Sequence, residues 1–141
     1  MRILKEFIWY KDHFVYHITS KDNIKSIKEK GLVPNLGERS KLLGDNEKAI
    51  YFFDSFTNML DWMNVLYKDE NKDNLEVLKF NIKRRKWYLH NGGEDFYVKR
   101  KVEIEKLEIL RVYDTNNNII PYSKFNYDDN NNYKWIKLKE R

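Results

Sequence analysis

Apolar and polar residues alternate most regularly in LEVLKFNI, residues 75–82. A period of two predicts a strand buried on one face. FVYHIT (14–19), IYFFDS (50–55), FYVKR (96–100) and LEILRVYD (107–114) are short runs of β-branched and aromatic residues and read as further strands. YKWIKLKER closes the chain with one more. A different period governs two other stretches. In SKDNIKSIKEKG, Ile24 and Ile27 share one helical face, Ser20 is placed as N-cap, and Gly31 with Pro34 ends the helix. In FTNMLDWMNVLYK (56–68), Phe56, Leu60, Met63 and Tyr67 recur at helical spacing, as do Met59, Trp62 and Leu66, with Asp54 or Ser55 before them to cap. Met59, Trp62, Met63 and Leu66 are its predicted core stripe.

Between these elements the pattern loosens. NLGERSKLLGDNEKA (35–49) predicts a long polar loop, a length more often functional than idle. KDENKDN (68–74), NGGED (91–95) and TNNNII predict turns, and YDDNNNY (127–133) a polar loop. Residues 1–12 admit a short strand or a helical turn, and KRRKWYLH (83–90) follows neither period. Strand, helix, loop, strand, helix and then several strands give an α+β class with a mostly antiparallel sheet.

At 141 residues the chain is expected to form one domain, 1–141. Aromatic residues make up 16%, so the core is expected to be built on rings, each burying a large area. The net charge is +5, but 27 cations are dispersed among 22 acids. That balance permits a polyanion partner without requiring one. The charge run KRRK beside Trp87 and Tyr88 marks Arg84, Arg85 and Trp87 as candidate nucleic-acid contacts, through phosphate pairing and base stacking. Without cysteine there is no disulfide, thiolate metal site or thiol nucleophile. The three histidines lack metal-ligand spacing, so no metal is expected. No signal-like or membrane-spanning apolar run occurs, which sets the expectation of a cytoplasmic protein with no membrane partner.

One constellation carries chemistry. YHIT leading into NIKSIKEKGLVPNLGERS and then IYFFDS resembles the N-terminal half of small ADP-ribosyltransferase domains, the diphtheria-toxin-like class with a His–Tyr–Glu triad, including DarT-like enzymes. The resemblance spans residues 14–68 and, more loosely, 93–112. It implies two packed, mainly antiparallel sheets with a few helices, holding NAD as co-substrate in the cleft between them. It implies that His17 bonds the adenosine ribose, that Thr19 adds a hydroxyl, and that the Tyr51 ring stacks on nicotinamide. The family glutamate falls at Glu94 or Asp95. Glu94 has the expected side chain, and Asp95 better fits the spacing to Val102. Arg39 and Ser40, in the loop that closes over the cofactor, are placed for the pyrophosphate. The implied activity is transfer of ADP-ribose to a macromolecular acceptor, protein or nucleic acid. Such domains act as toxins or phage–host conflict effectors, with an antitoxin as a possible partner. The rival reading is an inactive relative that binds or sequesters NAD, an ADP-ribose derivative or another nucleotide.

Overall fold

The computed structural model describes residues 5–35, 48–66, 69–89, 96–126 and 131–140. Strand β1 spans Lys5–Ile8 and β2 spans Phe14–Ser20. A 3-10 turn, Lys21–Asn23, leads into helix α1, Ile24–Lys30. Then follow β3 (Ile50–Phe52), α2 (Phe56–Leu66), α3 (Asp69–Lys72), β4 (Leu75–Asn81), β5 (Lys86–Leu89) and β6 (Phe96–Val98). The last strands are β7 (Glu108–Tyr113), β8 (Ile119–Ile120) and β9 (Asn132–Lys137).

The strands form two sheets, and every pair between them is antiparallel. The first has the order β1-β5-β6-β3; the second has β2-β4-β7-β8, with β9 also paired to β7. The class is therefore α+β with two mainly antiparallel sheets and few helices. The sheets meet where β2 passes β3. There the Tyr16 N–H donates to the Phe53 carbonyl at 2.9 Å, and the Phe53 N–H returns to Tyr16 at 2.7 Å.

Strand alternation decides what fills each face. Val15, Leu78, Phe80 and Ile109 from the second sheet meet Ile50, Phe52, Trp87 and Val98 from the first, with Ile27 and Leu32 added by α1 and its exit. The opposite face of the second sheet, Val77, Leu110 and Val112, is covered by Met59 and Met63 of α2. Strand β4 thus has both faces buried, although its sequence alternates like a one-sided strand. Each such large side chain contributes about 1.5–3 kcal/mol by leaving water.

Local chemistry sets the boundaries. Ser20 Oγ accepts the Asp22 N–H at 3.3 Å, and Ser55 Oγ accepts the Asn58 N–H at 3.1 Å, so Ser55 is the cap that opens α2. Met59 and Met63 are core as expected; Trp62 is only half-buried. The expected turn at 68–74 instead contains the short helix α3, whose Lys72 donates to Asn64 Oδ1 at 2.8 Å. The unassigned stretches at 1–12 and 83–90 contain the paired strands β1 and β5.

Gly31 ends α1 with φ 80° and ψ −177°, a conformation reserved for glycine. A methyl group there would lie 2.6 Å from the Val102 carbonyl oxygen. That carbonyl is fixed, because Leu32 and Val102 exchange two backbone hydrogen bonds of 2.9 Å. Gly31→Ala is expected to lower unfolding free energy by about 2 kcal/mol or more, read from urea denaturation; an unchanged midpoint would contradict this geometry.

Candidate functional site

The seam between the sheets positions His17. It lies in the middle of β2, opposite Leu78 of β4, with its ring toward the edge of β3. Its Nδ1 is 2.6 Å from the Tyr51 carbonyl oxygen. A carbonyl oxygen only accepts, so Nδ1 carries the proton and Nε2 of the neutral ring is left as an acceptor. Burial pushes the imidazole pKa below its ordinary value, partly opposed by the bond to Tyr51. The ring is therefore held neutral in one tautomer, suited to receiving a hydroxyl proton.

Thr19 follows on the same strand face. Its Oγ1 accepts from Asn23 Nδ2 at 3.0 Å. This bond uses the Asn23 position at the start of α1 to fix the hydroxyl. His17, Thr19 and Asn23 share a cavity of about 120 Å³ with Ser26, Asn35 and the β3 approach at Ala49. Asn35, on this rim, pairs with Ala49 through two backbone bonds of 3.3 and 3.2 Å. The cavity is small and open to one side.

Tyr51 contributes to this site through its backbone. Its side chain lies on the face of β3 opposite Ile50 and Phe52, in register with Tyr97 of β6 and, beyond it, Tyr88 of β5. The Tyr51 and Tyr97 ring centroids are 5.3 Å apart, and Tyr97 and Tyr88 are stacked at 5.4 Å. A row of three tyrosines therefore runs across the first sheet away from its core. The Tyr51 ring is not among the groups lining the His17–Thr19 cavity.

Arg39, Ser40, Glu94 and Asp95 lie outside the described residues. Glu94 and Asp95 directly precede β6, whose first residue, Phe96, is registered against Phe52, next to Tyr51. Among the described residues lining the cavity there is no carboxylate. Nor do the described residues hold a group of three or more His, Asp or Glu able to grip a metal ion.

Asn23 is a site residue that periodicity did not single out; its four-residue spacing from Thr19 was the available signal. Glu76 is another. It faces Thr19 across the β2–β4 pair, is 6% exposed, and is held by Arg111 Nη1 at 2.8 Å. An acid so buried survives because that guanidinium answers its charge.

The nucleic-acid candidates separate. Arg84 is exposed with φ 62°. Arg85 is partly buried and donates to the Lys101 carbonyl at 3.2 Å; burial and the nearby Arg100 lower its pKa. Trp87 is a correction: at 8% exposure it belongs to the core between the sheets and offers no base-stacking face.

Compared with known proteins, the chain matches no family model, no curated protein and no solved structure. No described helix is long and apolar enough to cross a membrane.

Because folding keeps His17 neutral, its protonation favours the unfolded chain. The unfolded state binds more protons below pH 6.5, the ordinary histidine value, so stability falls as pH drops through that value. Wild-type unfolding free energy between pH 7.5 and 5, measured against His17→Gln, is expected to show the steeper loss in the wild type. Parallel profiles would contradict a desolvated neutral imidazole.

Proposed function

We propose that the protein is an NAD-dependent ADP-ribosyltransferase whose cofactor lies along the seam between the two sheets. The observation that carries this reading is His17 itself: an imidazole anchored through Nδ1–H to the neighbouring sheet, with Nε2 left to accept, beside a fixed threonine hydroxyl. A ribose diol requires such a pair of short-range polar partners. In this reading Arg39 and Ser40 take the pyrophosphate, and the Tyr51 ring, on the far face of β3, meets the nicotinamide where the cofactor passes over the β3 edge.

The reaction is a displacement at the anomeric carbon. The bond from that carbon to the nicotinamide nitrogen breaks, its electron pair leaves with nicotinamide, and positive charge grows on the ribose. A carboxylate from Glu94 or Asp95, bonded to the 2′-hydroxyl, strengthens as that charge develops. An oxygen or nitrogen of the acceptor, protein or nucleic acid, then forms the new bond and releases its proton. Contacts along the distal adenosine half, with His17 among them, hold the breaking bond in place, so remote binding energy is used at the reacting centre. A transferase of this kind fits a toxin or conflict effector, restrained by an antitoxin.

A second reading keeps the same cleft but removes catalysis, leaving a domain that binds or sequesters NAD or a related nucleotide. It is favoured by the absence of a carboxylate among the described residues lining the His17–Thr19 cavity, and by Glu76, opposite Thr19, being engaged by Arg111.

Labelled NAD incubated with the protein, alone and then with lysate, DNA or RNA, separates the two. Transferase activity predicts nicotinamide release and label transfer, with either Glu94→Gln or Asp95→Asn slowing release about a hundredfold or more. NAD binding with no release supports the sequestering reading. If NAD at millimolar concentration neither reacts nor raises the melting temperature, both readings fail, since a native-state ligand must stabilise by mass action.

A further inference from the structure

Strand β1 is an edge of the first sheet, with β5 beside it. Four rings from three segments form a near-parallel column along that edge. Phe7 lies on Trp87 at 4.4 Å and 19°, Trp87 on Trp9 at 5.8 Å and 9°, and Trp9 on His13 at 4.3 Å and 8°. The Trp87 indole N–H and His13 Nε2 are buried with no hydrogen-bond partner among the described residues. Stacking, rather than polar contact, therefore holds the column. Its end and flank are open: Phe7 is 38% exposed, and Tyr10 is 74% exposed.

The charge run is locked against the same column. Trp9 bridges to Lys83, and its carbonyl accepts the Arg84 N–H. The left-handed φ of 62° at Arg84 turns the chain there. Lys83 and Arg84 are exposed at this turn, whereas Lys86, also exposed, lies with Ile8 on the sheet face opposite Phe7 and Trp87. The acid placed against this turn is Asp12, which already accepts from Asn81 at 2.9 Å and lies 3.7 Å from Lys83. A second copy docked here would set like charges against one another. A partner that is anionic at short, regular intervals and carries flat rings matches both features.

We propose that this edge binds single-stranded nucleic acid, with Lys83 and Arg84 along the phosphates and bases stacked on Phe7 and Tyr10. Duplex is disfavoured because its bases already stack on each other. The surface stands apart from the His17–Thr19 cavity and operates with or without NAD.

Fluorescence polarisation of a labelled, mixed-sequence single strand, without NAD, tests it across a salt series. Binding is expected at about 50 mM salt, falling log-linearly as salt rises. The double variant Lys83→Gln, Arg84→Asn keeps a residue tolerant of positive φ and removes two cations. It should weaken binding about tenfold or more and flatten the log–log salt slope by about 1.4. Tyr10→Ala should weaken binding about fivefold or more while leaving the slope unchanged. Melting temperatures confirm that each variant folds. Wild-type affinity in both variants, no binding at low salt, or equal affinity for duplex or labelled poly-glutamate would each overturn the proposal. So would a dimer in light scattering that Tyr10→Ala dissociates. Because no NAD is present, failure here leaves the cofactor reading standing, and failure of NAD binding leaves this surface standing.

Discussion

Two backbone hydrogen bonds between Tyr16 and Phe53 tie the two sheets together where β2 passes β3. They make β2 and β3 neighbours without merging them into one continuous sheet. One residue beyond Tyr16 and two before Phe53, His17 and Tyr51 are brought within reach of the bond that fixes the imidazole. If the seam were a full ladder, the strand edge that takes the His17 N–H would be filled by another strand. If the strands were separated, the ring would be solvated and free to choose its tautomer and charge. The site is thus a consequence of an incomplete sheet, with the inter-sheet core of Val15, Phe52, Phe80 and Trp87 keeping the gap in register.

The same division sorts the rest of the molecule. The inward face of the second sheet carries His17 and Thr19 and, opposite Thr19, the ion pair of Glu76 and Arg111. Its other face is closed by the methionines of α2. The first sheet carries a row of tyrosines on its face away from the inter-sheet core, with Tyr97 at its centre fully buried, and ends in the aromatic column at β1. The column and the His17 cavity lie in different parts of the structure, and no residue belongs to both.

Strands dense in β-branched and aromatic residues, such as β2 and β7, were legible because alternation and propensity agreed. So were α1 and α2: Ser20 caps the 3-10 turn that leads into α1, Gly31 stops α1, and Ser55 caps α2. Strands β1 and β5 were not legible, since their stability comes from rings stacked between them rather than from a period in either. Trp87 shows why. Beside four basic residues it reads as surface, yet pairing with Phe7 turns it into the core. The short helix α3 was hidden in a polar run because the burial of Lys72 depends on Asn64, which belongs to a different helix. At the site, His17 and Thr19 could be picked out by residue type. The orientation of the Tyr51 ring depends on which sheet face is inward, a tertiary fact that no local pattern carries.

The protonation state of His17 tests the central claim most directly. Nitrogen-resolved NMR of the imidazole at pH 7, assigned by loss of the signal in His17→Gln, should show a neutral ring with hydrogen on Nδ1. Addition of NAD should then shift Nε2 while leaving Nδ1 bonded as before. A ring protonated on Nε2, an imidazolium, or an Nε2 signal indifferent to NAD would contradict an imidazole held at the seam to receive a ribose hydroxyl.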